Sequence, residues 1–177
     1  MKRIDLSEVL KEASSTTYNN LVTRATGQAI RGHIENELAD GNRDQVAVID
    51  FGAVGCLDFS CADEIVAKLL LNHGEARYFL LLGVSPAQRE AIEAVLERHH
   101  LAVAAQDRSG SMQVLGPIPE VARKAFGFLV KAGSADESEV IEHLDMNLDT
   151  ARAALNELCD RHLVQFSSPR YQALTTI

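Results

Sequence analysis

The stretch Cys56-Leu57-Asp58-Phe59-Ser60-Cys61-Ala62-Asp63-Glu64 gathers three acids, a hydroxyl and two thiols into nine residues. Several chemistries use such groups. Asp58 and the nearby Asp50 have the types of a general acid and base pair. Cys56, Cys61, Asp58 and His73 are metal-ligand types, although the five-residue step between the thiols is not the paired spacing of a zinc site. A cysteine at a helix N-terminus has a lowered pKa and reacts with oxidants, whereas a buried one acts as a small hydrophobe; Cys61 is open to both readings. There is no phosphate-cradling GxxxxGK and no GxSxG elbow. A structural reading explains most of the polar residues at once. A helix starts near Ser60 or Cys61, Ser60 caps it, and Asp63 and Glu64 lie in its first turn, close to a capping box and complementary to the helix dipole. These residues point to no catalytic centre, metal or cofactor, and a non-enzymatic role is the expectation.

The elements that must position this stretch follow from hydrophobic period. ATGQAIRGHIENEL (25–38) sets Ala29, Ile30, His33, Ile34 and Leu38 on one helical stripe, broken by Gly41-Asn42. QVAVIDF (45–51) and ARYFLLLGV (76–84) are runs suited to buried strands, LAVAAQ (101–106) is a third, and MQVLG (112–116) a short last one. ADEIVAKLLLNH (62–73) is helical through Ile65, Val66, Leu69 and Leu70, with Gly74 as C-cap. SPAQREAIEAVLERHH (85–100) opens with Ser85 as N-cap and Pro86 at the first helical position. IDLSEVL near the N-terminus suits an edge strand or a helix. Strands alternating with helices predict an α/β layer with a partly parallel, mixed sheet over residues 1–116.

GPIP (116–119) marks a boundary, and residues 117–177 follow a different grammar. PEVARKAFGFLVKAG (119–133), DESEVIEHL (136–144) and LDTARAALNELCDRHL (148–163) predict three helices, the third capped by Asn147. VQFSSPRYQALTTI predicts a hairpin turning at Ser-Ser-Pro-Arg. Three helices and a hairpin form a small α+β winged helix-turn-helix pattern. In the third helix, Ala151, Ala154, Leu155, Leu158 and Cys159 make the core stripe. Thr150, Arg152 and Asn156 face outward and, with Arg170 of the wing, are the candidate DNA contacts.

Charge bears on partners. The chain has 177 residues and a net charge of −8. Residues 120–177 contain six basic and nine acidic side chains, so the segment that would meet DNA is itself anionic. DNA affinity draws on phosphate neutralisation, so protein partners are favoured over DNA, although a dimer would concentrate Arg152 and Arg170 along one groove. No apolar run approaches the roughly 20 residues that span a bilayer. The N-terminal MKRIDLSEVLKEASS lacks the apolar core of a signal peptide, and three cysteines at irregular spacing imply no disulfide framework; a cytoplasmic protein is expected.

The order VAVIDF, GAVGCLD, SCADEIVAKLL resembles the STAS domain of anti-sigma factor antagonists, over about residues 15–115. A divergent STAS-like group is closer, with an arginine-bearing helix start (LVTRATGQAI) before a strand ending in Asp-Phe, and then Ala-Asp-Glu, as in DFSCADEI. The C-terminal segment is similar in topology to winged-helix regulators of the MarR or ArsR kind. The resemblance implies a regulatory protein in signal transduction. Ser60 falls on the family's phosphorylated serine and Asp58 on its preceding aspartate, while Phe59 and Cys61 replace a serine and a glycine. It implies docking of a protein partner, an anti-sigma or histidine-kinase-like ATPase, at Arg24, Asp58, Phe59, Ser60, Cys61, Asp63 and Glu64. The alternative is a DNA-binding transcriptional regulator whose STAS-like part dimerises or senses a ligand.

Overall fold

A computed structural model describes residues 1–14, 19–39 and 46–175. Its first sheet has five strands in sequence order: β1 (Lys2–Asp5), β2 (Ala47–Asp50), β3 (Phe79–Val84), β4 (Val103–Asp107) and β5 (Met112–Leu115). The first four are parallel, and β5 returns antiparallel to β4. The sheet is therefore mixed, within an α/β layer. The N-terminal ambiguity resolves both ways: β1 is an edge strand, and α1 (Leu6–Ser14) follows it directly. Predicted strands 45–51, 76–84 and 101–106 are present but shorter. The Gly41-Asn42 break lies outside the described residues.

Three crossovers join the parallel strands: α1 with α2 (Arg24–Ala39); then α3 (Phe59–Ala62), a π-helical segment (Asp63–Lys68) and α4 (Leu69–His73) as one continuous rod; then α5 (Pro86–His99). Crossovers of one hand between successive neighbours fall on one sheet face. That face carries Ala47, Ile49, Leu81, Val103 and Leu115, packed on Ile30, Ile34, Ile65, Leu69, Ile92 and Val95. Strand alternation sends Val48, Leu80, Ala104 and Val114 to the other face. There they share a core with Phe126 and Leu129 of α6 (Glu120–Ala132) and with Leu155 and Leu158 of α8 (Leu148–Asp160). The C-terminal segment thus covers the second face of the sheet.

That segment contains the three predicted helices, with α7 spanning Glu137–Leu144, and the hairpin β7 (Val164–Ser167) and β8 (Arg170–Ala173). It also has a short strand the sequence did not signal, β6 (Ser134–Ala135), paired to β8. Asn147 caps α8 as expected, accepting from Thr150 N at 2.8 Å. Ser85 caps α5 in a full capping box with Gln88, and Pro86 is its first residue. On α2 the buried stripe is Gly27, Ile30, Ile34 and Leu38; Ala29 faces solvent, contrary to the sequence expectation. The reason is spatial. A Cβ at position 27 would sit 3.0 Å from Glu64 Cβ and 3.1 Å from Cys61 Cα, so glycine lets α2 approach the rod closely. No helix among the described residues is long and apolar enough to cross a membrane.

Candidate functional site

The quoted stretch lies beyond the C-terminal end of β2, where the chain loops and enters the rod. The loop is pinned from three sides. Leu21 N donates to Cys56 O (2.8 Å), Asp58 N to Leu21 O (2.9 Å) and Gly55 N to Asn19 O (2.8 Å), tying it to the segment that precedes α2. Gln88 Nε2 of α5 donates to Val54 O at 2.8 Å. Below, Gly83 has φ +70 at a register irregularity of β3, and a Cβ there would lie 2.8 Å from Gly52 Cα. Only glycine suits that backbone and that contact.

The helix start differs from the sequence expectation. Asp58 is the N-cap, accepting from Cys61 N at 2.8 Å, and Ser60 is the second helical residue, its Oγ donating to Asp58 Oδ1 at 2.9 Å. Asp58 wins the cap because its backbone is extended (φ −85, ψ 166). Asp63 and Glu64 consequently fall in the second turn, form no capping box, and are buried. Burial raises the Asp58 pKa, but hydrogen bonds from Cys61 and Ser60 outweigh it and hold the carboxyl below its ordinary value. Asp50 does not join Asp58 as a general acid and base pair. It accepts from Arg3 (Nε at 2.9 Å) and from Gly52 N, while Asp58 is spent on the cap.

Cys61 is buried, and its thiol donates to Thr23 O at 2.9 Å. Burial first, and then the Asp58 charge, push its pKa up to about 11, the opposite of an oxidant-sensitive helix-end thiolate. Cys56 is exposed, and His73 turns to Glu35 (3.2 Å).

Arg24 opens α2 behind its Thr23 cap. Nη1 donates to Asp63 Oδ2 at 2.9 Å and to Glu64 Oε1 at 2.6 Å. The π-helical segment buries five consecutive residues, Asp63 to Ala67, and directs the two acids to different helices. Asp63 meets His99 Nε2 of α5 at 2.9 Å, and Glu64, fully buried, also pairs with Lys68 and with Arg31 Nε at 3.3 Å. Burial raises the pKa of both acids. Hydrogen bonds from Arg24 and His99 to Asp63, and from Lys68 and Arg24 to Glu64, reverse the sign and leave both below ordinary values. Arg24, Asp63 and Glu64 are thus one ion-pair network, and Cys61 packs beneath its edge. Lys68, Arg31, His99 and Gly27 were not singled out from the sequence. Lys68 stands four residues after Glu64, a readable helical pair; His99 is 36 residues from Asp63 and carried no local signal.

Beside this network two apolar side chains are exposed, Phe59 by 42% and Val22 by 51%. These two residues flank the Leu21–Asp58 hydrogen bond. The arrangement offers a rigid ledge with an apolar tip, a hydroxyl at Ser60 and compensated charges behind. The C-terminal candidates sit elsewhere. Arg152 is held by Glu137 (2.8 and 3.0 Å), and Arg170 by Ser134 and, at 3.1 Å, by Glu139. Thr150 is half-buried and Asn156 exposed on α8.

Compared with models of protein families and with curated proteins, the chain matches none.

Proposed function

We propose that this chain is a non-enzymatic regulatory protein. Its α/β layer acts as a STAS-like domain that docks a protein partner at the ledge formed by Phe59, Ser60 and Val22, and its C-terminal segment acts as a winged-helix output module. The observation that carries this reading is the pairing of an exposed phenylalanine with a helix start whose loop is pinned by hydrogen bonds to α5 and to the segment before α2. Aromatic anchors on preorganised frames are where binding energy concentrates. Asp58, Cys61, Arg24, Asp63 and Glu64 serve the frame.

Ser60 is the switch in this reading, and the partner is an anti-sigma or histidine-kinase-like ATPase. A phosphoryl group on Ser60 Oγ would bring about −1.5 to −2 charge to within hydrogen-bond reach of the Asp58 carboxylate. The repulsion would break the cap and reshape the ledge. A DNA output is the second reading. It is disfavoured by the carboxylates that already compensate Arg152 and Arg170.

The test is affinity capture with wild type, Phe59→Ala and Ser60→Asp, combined with mass spectrometry of Ser60 after incubation with the captured ATPase and ATP. Retention of such an ATPase by wild type and its loss in Phe59→Ala is the expected result. Equal retention by all three refutes the docking ledge. Retention without modification of Ser60 keeps the ledge and removes the switch. Gel shifts at several salt concentrations separate the second reading: salt-sensitive binding lost in Arg152→Ala would install it.

A further inference from the structure

We draw no further inference here: the strongest candidate, the crevice of about 490 Å³ at the C-terminal ends of β1, β2, β3 and β4 where Arg3, Asp50, Gln106 and Arg108 meet, carries nothing, because the chain itself already answers these polar groups (Asp50 by Arg3 and Gly52 N, Gln106 by Gly110 O, Arg108 by the Gly83 and Val54 carbonyls) and nothing in the structure shows what would occupy it.

Discussion

Glu64 is a fully buried carboxylate ringed by Arg24, Arg31 and Lys68, and replacing it with glutamine isolates the value of its charge. Glutamine keeps the size and removes the anion. Hydrogen bonds to a charged group are each worth about 1.5–3 kcal/mol, and Glu64 accepts from Arg24 and Lys68. Both cations reach solvent and regain water once released, which discounts the sum by roughly half. The expected loss is about 1.5–3 kcal/mol, a fall in Tm of about 3–12 °C for a chain of this size. Glu35, on the more open side of α2 and paired with Arg31 and His73, is the control; Glu35→Gln should cost about 0–1 kcal/mol. The pH dependence adds a second reading. The Glu64 pKa is depressed in the folded chain, so its contribution is fully present above the ordinary glutamate value of 4.5 and is lost as pH falls below it. Urea unfolding at pH 7, 4.5 and 3 measures both effects. Glu64→Gln should show a shallower acid-side loss than wild type. Equal costs for the two variants at pH 7, or parallel pH profiles for Glu64→Gln and wild type, would refute the picture of a buried, cation-held charge.

Three further outcomes follow from the same geometry. Asp58→Ala removes the N-cap of α3, costs about 1 kcal/mol and accelerates amide exchange at Ser60 and Cys61; a Ser60→Ala variant that costs more would show that serine, not Asp58, holds the helix start. Thiol labelling of the native chain at pH 8 should modify Cys56 quickly and spare Cys61 and Cys159, both with pKa values raised to about 11; fast labelling of Cys61 would contradict its bond to Thr23. Gly27→Ala forces a methyl to about 3 Å from Glu64 Cβ, so overpacking outweighs the gain of about 1 kcal/mol in helix propensity, and the net loss is about 1–2 kcal/mol by urea unfolding; a more stable variant would mean α2 has room to withdraw.

Much of the α/β layer was legible in the sequence because its signals are local. Apolar strand runs and the Ser85-Pro86 helix start, like the Asn147 cap in the C-terminal segment, each lie within a few residues of what they specify. The helix start at Asp58 was less legible, since Asp58 and Ser60 are both good caps and the choice depends on backbone angles that the pinned loop imposes. The burial of Asp63 and Glu64 was not legible at all. The two adjacent acids read as first-turn residues complementing the helix dipole. They are buried because Gly27 brings α2 against the rod, a π-helical segment splits the pair between α2 and α5, and the cations of residues 24, 31 and 68, with a hydrogen bond from His99, arrive to hold them. Likewise, the anionic C-terminal segment could be read as three helices and a hairpin, but not as the cover of the second sheet face. Alternation made both faces of the central strands apolar, so the sequence by itself required a second cover. Which segment would supply it depended on contacts between residues far apart in the chain, and these exist only once the tertiary structure forms.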